Sequence, residues 1–312
     1  MVTLAGGVGA AKLLSGLVRA HPPREQLAVV NTADDTVLHG LHVSPDLDTV
    51  VYTLAGAVNP DTGWGLAGET WQAMDALDRY GGITWFRLGD RDLATHLYRT
   101  HRLGQGAQLA TVTAEIAAAW GLELAVLPVT NDRIETRVTT VDEGEIGFQD
   151  YFVRRHHDVP VTAVRVAGSK RAQPAPGLIE ALASASSIII APSNPIVSIG
   201  PVLEVPGVRE AIAARRDAVV AVSPIVDGAA LKGPADRLMR ELGHECSVVG
   251  VARLYQEVAA SLVIDEADAR LADEVESAGV SCIVAPTVMD GVESATALAH
   301  IVLGCAQAEA KT

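Results

Sequence analysis

Val2-Thr3-Leu4-Ala5-Gly6-Gly7-Val8-Gly9-Ala10-Ala11-Lys12 opens the chain as an apolar strand that runs straight into a glycine turn and a helical pattern. That order aims backbone N–H groups and the positive end of a helix at one spot, which makes an anion site. After one helix and a second strand, Leu27 to Val30, come Asn31-Thr32-Ala33-Asp34-Asp35 and then Ser44-Pro45-Asp46-Leu47-Asp48-Thr49. Carboxylates beyond the second strand add a place for a divalent cation, so this opening predicts a phosphorylated substrate with magnesium.

Working outward, the apolar runs Ile188 to Ala191, Ala218 to Val222, Leu262 to Asp265 and Val280 to Ala285 read as further buried strands, each followed by helical periodicity. The alternation predicts the α/β class: a Rossmann-like, doubly wound, mostly parallel sheet flanked by helices, in a single domain over residues 1–312. A mainly helical segment is expected over about 46–121 and a small antiparallel hairpin over about 134–154, where two alternating segments flank Asp142-Glu143-Gly144. Ser44 is the candidate N-cap of the helical segment, Pro45 suits its first turn, and Asp46 and Asp48 stand where acidic side chains complement the dipole. Capping accounts for one of these aspartates better than for both.

With 49% hydrophobic residues in 312, the chain can bury a large core. Its 38 acidic against 24 basic residues leave a formal charge of -14, which repels a polyanion and excludes non-specific nucleic-acid binding, so any phosphate site must be local. Cys246, Cys282 and Cys305 are widely spaced without a CxxC pair, which indicates neither a disulfide framework nor structural zinc. No basic region precedes the first apolar segment, and no run approaches the roughly 18 apolar residues of a membrane helix. A cytoplasmic protein that engages no membrane is expected.

The glycine turn matches neither standard phosphate fingerprint: the P-loop spacing is absent, and Lys12 stands where the dinucleotide pattern has its third glycine. Gly6, Gly7 and Gly9 serve either an anion or a tight strand-to-helix turn, and Lys12 either reaches a phosphate or is solvated. Ser193 and Asn194 follow the strand at Ile188 and stand where donors meet a ligand beyond a parallel sheet, or belong to ordinary turn chemistry. In Trp85-Phe86-Arg87-Leu88-Gly89-Asp90-Arg91-Asp92-Leu93-Ala94-Thr95-His96, two of only twelve aromatics stand beside Arg87, a combination suited to a flat ring. His39 and His96 are conceivable acid-base residues or structural hydrogen-bonding groups. Arg154-Arg155-His156-His157 reads most simply as a solvated face.

Taken in order, the glycine turn, Asn31-Thr32-Ala33-Asp34-Asp35, Ser44-Pro45-Asp46-Leu47-Asp48-Thr49-Val50, Trp64-Gly65-Leu66-Ala67-Gly68-Glu69-Thr70, Leu88-Gly89-Asp90-Arg91-Asp92 and Ser193-Asn194-Pro195-Ile196-Val197-Ser198-Ile199-Gly200-Pro201 resemble the motif series of the 2-phospho-L-lactate transferases. The resemblance runs from residue 2 to about residue 300. It implies a Rossmann-like transferase of coenzyme F420 biosynthesis. Such an enzyme moves a phospholactyl or phosphoenolpyruvyl group from a guanosine diphosphate conjugate onto the deazaflavin Fo and releases GMP, with magnesium and commonly as a homodimer. Carried over by position, Asp48 and Arg87 are implied to contact Fo; some relatives have lysine at the second place. The glycine turn with Ser193 and Asn194 is implied to hold the guanosine diphosphate portion, with Lys12 orienting the diphosphate. Asp35 and Asp48 are the candidate magnesium ligands, and Asp48 or Asp46 the acceptor of the hydroxyl proton. The rival readings are a dinucleotide-utilising enzyme and a nucleotide-sugar-binding regulator of a related Rossmann-like family.

Overall fold

A computed structural model describes residues 1–309. Seven strands form one parallel sheet: β1 (Val2–Ala5), β2 (Leu27–Val30), β3 (Ala125–Pro128), β4 (Ile188–Ile190), β5 (Val219–Val222), β6 (Ser261–Ile264) and β7 (Ser281–Val284). Their spatial order is β7-β6-β5-β4-β1-β2-β3. β1, β4, β5 and β6 are buried at every position, as unbroken apolar runs covered on both faces must be. Successive side chains feed opposite layers: Ile188 and Ile190 enter one core and Ile189 the other.

The chain builds outward from β1 through β2 to β3, then returns to the other side of β1 with β4. The order therefore reverses between β1 and β4, and a ligand crevice is expected beyond their carboxyl ends. Gly6 follows one of these ends and Ala191-Pro192-Ser193-Asn194 the other.

Helix α1 (Gly7–Ala20) starts as soon as β1 stops and packs along the last helix, Val292–Glu309. Gly16 permits that approach, since a Cβ there would overlap the carbonyl oxygen of Ala295. Between β2 and β3 stand α2 (Pro45–Leu54), α3 (Gln72–Asp78), α4 (Asp92–Gly104) and α5 (Leu109–Ala119), preceded by an unexpected two-stranded hairpin, Thr36–Leu38 with Leu41–Val43. The expected hairpin forms from Glu135–Thr140 and Gly144–Gly147, and Val161–Ala167 adds a third antiparallel strand to it. Among the described residues no helix is long and apolar enough to cross a membrane.

Candidate functional site

A cavity of about 820 Å³ opens at the reversal point between β1 and β4. Gly6, Gly7, Gly9, Lys12, Asp46, Asp48, Arg87, Ser193 and Asn194 all line it, whereas Asp35 does not. The segment after the hairpin contributes Phe148, Gln149, Phe152, Val153 and His156, so this part of the insertion faces the cavity. His39 is outside the lining, its Nε2 2.9 Å from the Ile83 carbonyl oxygen in an exposed turn.

The glycines divide their tasks. Gly7 has φ +71°, a left-handed conformation that glycine adopts without strain. Gly9 instead lies against the β4 loop, where a Cβ would overlap the Pro192 carbonyl oxygen, and a Cβ at Gly6 would stand 2.8 Å from Ser198 Cβ. Ser193 ties the two switch-point loops together: its hydroxyl accepts from Gly6 N at 3.3 Å and donates to Gly6 O at 2.8 Å. Asn194 Oδ1 accepts from the Ile196 and Val197 amides, while its buried Nδ2 has no hydrogen-bond partner. The Val8 and Gly9 amides, at the opening of α1, have no acceptor within the helix. Lys12 Nζ donates to Met289 O at 2.8 Å, and Lys232, absent from the expected set, lines the cavity while donating to Thr62 O.

Four carboxyl groups, Asp34, Asp35, Asp46 and Asp48, crowd the stretch from the end of β2 into the first turn of α2. Ser44 occupies the N-cap position of α2, yet its hydroxyl makes no cap and donates to Asp35 Oδ2 at 2.7 Å. Asp46 Oδ2 accepts from Asn31 Nδ2 at 3.0 Å, and its carboxylate also faces the Gly7 amide. Burial pushes Asp46 up to about 6 and Asp35 up to about 8, and it raises Asp34 with help from the Asp46 charge. Asp34 and Asp35 each retain a buried Oδ1 without a hydrogen-bond partner. Dipole complementation therefore does not exhaust Asp46 and Asp48: both are buried side chains of a crowded acidic site.

Asp48 is held from behind. Both its oxygens accept from Arg99, which is 2% exposed; the Nη1–Oδ2 bond is 3.1 Å and Nη2 bonds Oδ1. His96 Nδ1 lies 3.7 Å from Asp48 Oδ2, and Nε2 3.3 Å from Asp92 Oδ2. Asp48, Asp92 and His96 offer ligand atoms within 4.8 Å of one another, but Arg99 already supplies positive charge there. Sequence reading missed Arg99 altogether. A usable signal existed, because Asp92, His96 and Arg99 at i, i+4 and i+7 share one helix face. Elsewhere on the wall, Arg87 stacks 4.7 Å from the Trp71 ring centroid, 3.3 Å from Asp75 Oδ1, with Trp85 and Phe86 beside it.

The fold and site define a class: a Rossmann-like α/β protein with open helix amides, lysines, buried carboxylates and aromatic side chains around one cavity. The profile of the family described as 2-phospho-L-lactate transferase CofD matches residues 1–289. Similar proteins include a phosphoenolpyruvate transferase of Streptomyces griseus, 44% identical over 98% of each chain. A 2-phospho-L-lactate transferase of Methanosarcina acetivorans is 38% identical over 97% of this chain and 98% of its own. A crystallised protein of Bacillus halodurans superposes with a TM-score of 0.64 at 19% identity, covering 97% of this chain and 98% of that one, and so shares the fold. The chain belongs to the CofD family and is a transferase.

Proposed function

We propose that the cavity binds the deazaflavin Fo together with a guanosine diphosphate conjugate of lactate or enolpyruvate. It then transfers the phospholactyl or phosphoenolpyruvyl group to Fo and releases GMP, a step of coenzyme F420 biosynthesis. The observation that carries this reading is the single 820 Å³ cavity that brings the glycine turn, the acidic cluster and the Trp85-Phe86-Arg87 segment together. That space lies within the range of sites that enclose ring-bearing ligands. The names of the S. griseus and M. acetivorans relatives supply the two candidate three-carbon groups.

In this reading the terminal ribityl hydroxyl of Fo attacks the phosphorus that bears the three-carbon acid. A new P–O bond forms, the P–O bond to GMP breaks, and the hydroxyl proton passes to a carboxylate at the cavity wall, Asp48 or Asp46. The Val8 and Gly9 amides, Lys12 and Asn194 Nδ2 orient the diphosphate, and Arg87 with its aromatic neighbours receives the deazaflavin ring.

The residues present fit magnesium, because Asp34 and Asp46 bring carboxylate oxygens to the cavity and Asp34 keeps one buried oxygen without a hydrogen-bond partner. Asp46 also faces the opening amides of α1, where a bare carboxylate would repel an incoming phosphate. Asp34 and Asp46, which line the cavity, would hold the ion, which would neutralise charge on the phosphoryl oxygens. The guanidinium on both oxygens of Asp48 moves the metal role away from that residue and leaves it the acceptor. A cytoplasmic homodimer, detectable by sedimentation as twice the monomer mass, completes the reading.

Incubation with Fo, magnesium and each conjugate in turn, with GMP and the deazaflavin product followed by mass, tests the reaction. Product with one conjugate supports the reading and names the donor; nucleotide binding without product from either overturns it in favour of a binding protein. Asn194→Asp tests the proposed donor, since it preserves the Oδ1 cap and removes the Nδ2 hydrogens. The expected result is an unchanged melting temperature with about a tenfold rise in KM for the conjugate. An unchanged KM would remove Asn194 from the nucleotide site.

A further inference from the structure

Arg99 is deeply buried on α4 and contributes nothing to the cavity lining, whereas its partner Asp48 does line it. A guanidinium bound to both oxygens of a carboxylate fixes the plane of that group, which a lysine ammonium, a point charge on a flexible stem, does not. The same Nη1 stands 3.3 Å from His42 O and 3.3 Å from His96 Nδ1. An Arg99 N–H facing Nδ1 leaves the ring proton on Nε2, which lies 3.3 Å from Asp92 Oδ2 without a hydrogen bond to it. Asp92 is anchored in turn by the Tyr52 hydroxyl, 2.6 Å from Oδ1 and 2.8 Å from Thr95 Oγ1. A polar seam thus runs from the buried Arg99 to the cavity wall, which Tyr52, Asp92 and His96 line together with Asp48.

Buried ion pairs are weak contributors to stability, because desolvation offsets their attraction and apolar pairs of similar volume often serve the fold as well. The geometry here is organised around what Asp48 faces rather than around packing. We propose that Arg99 is a positioning residue for transfer: it fixes the Asp48 carboxylate toward the acceptor hydroxyl and reserves it from the metal. The inference rests on the proposed role of Asp48 at the acceptor and adds to it the group that makes this role possible.

The test compares Arg99→Lys, Asp48→Asn and the charge-neutral Asp48→Asn/Arg99→Met, which keeps no unpaired charge at the seam. In Arg99→Lys, kcat for Fo is expected to fall about a hundredfold while KM for the guanosine diphosphate conjugate stays within about twofold. The double variant should be no slower than Asp48→Asn alone, because Arg99 acts only through Asp48. Mn²⁺ alone, followed by its electron paramagnetic resonance signal, should bind all three variants as tightly as the parent.

Normal kcat in Arg99→Lys with a slow Asp48→Asn would overturn the positioning role while the Asp48 reading stands. Normal kcat and KM in Asp48→Asn would overturn that reading and the inference with it. Additive losses in the double variant, or a lowered melting temperature with both substrates equally impaired, would make Arg99 merely structural. Weakened Mn²⁺ binding in Asp48→Asn would return Asp48 to the metal.

Discussion

Gly9→Ala is expected to cost the protein about 3 kcal/mol or more, a loss that differential scanning calorimetry would register as a large fall in melting temperature. The added methyl group meets the Pro192 backbone carbonyl, not the movable end of a side chain. Relief requires α1 to separate from the loop after β4, and Ser193 pins that loop to Gly6 through two hydrogen bonds. Strain at this point spreads across the two strands whose ends form the site.

Gly7→Ala is the informative companion. Its Cβ would find only Asp46 Oδ1, 3.9 Å away, so the cost comes from φ +71° alone, about 1–2 kcal/mol. A glycine needed only for close approach to phosphate would behave differently, with Gly9→Ala weakening conjugate binding at an unchanged melting temperature. Stability within about 1 kcal/mol of the parent would therefore overturn the packing account.

The same contrast shows how much could be read from sequence. A glycine turn between an apolar strand and a helix is a local signal, and so are unbroken apolar runs such as Ile188-Ile189-Ile190, buried on both faces. Those signals locate the inner strands, whereas the strand order and its reversal point come from how the strands pack. Ala125–Pro128 lies at the sheet edge with alternating burial, and Val161–Ala167 is half exposed, so neither strand stands out from its surroundings.

The site was legible as a set of segments and less so as contacts. Asp34 and Asp35 are adjacent in an irregular stretch, and no periodicity tells that Asp34 meets the cavity while Asp35 turns to Ser44. Ser193 lines the crevice, yet its hydroxyl is already engaged with Gly6. Arg99 resembles an ordinary helix-surface charge until its face is aligned with Asp92 and His96. Long-range pairing of that kind, 51 residues from Asp48, depends on how α4 packs rather than on its composition.

The acidic cluster makes the stability of the metal-free protein fall as pH rises. A carboxyl whose pKa is higher in the folded chain binds more protons there between the unfolded and folded values, so increasing pH favours unfolding through that window. For Asp46 the window runs from the ordinary carboxyl value of 3.8 to about 6, and for Asp35 from 3.8 to about 8, in both cases chiefly because burial penalises the charged form. Asp34, raised by burial and by the Asp46 charge, acts in the same direction. Between about pH 5 and pH 8.5 the melting temperature of chelator-treated protein is expected to drop by roughly 5–10 °C.

Magnesium held by this cluster, as proposed above, should reverse the effect only where the carboxyls are ionised. Saturation at about a hundredfold excess over the dissociation constant would then add about 2.7 kcal/mol to the folded state at the alkaline end. Near pH 5 the ion competes with protons on the same oxygens, and its effect should be small. The decisive comparison is calorimetry at both pH values with and without magnesium, repeated on Asp35→Asn. That variant keeps an oxygen for the Ser44 hydroxyl and removes a carboxyl raised to about 8, so its pH slope should be shallower. A flat profile in the metal-free parent, or an equal gain from magnesium at both pH values, would mean that these carboxyls stay ionised without the ion and are not its ligands.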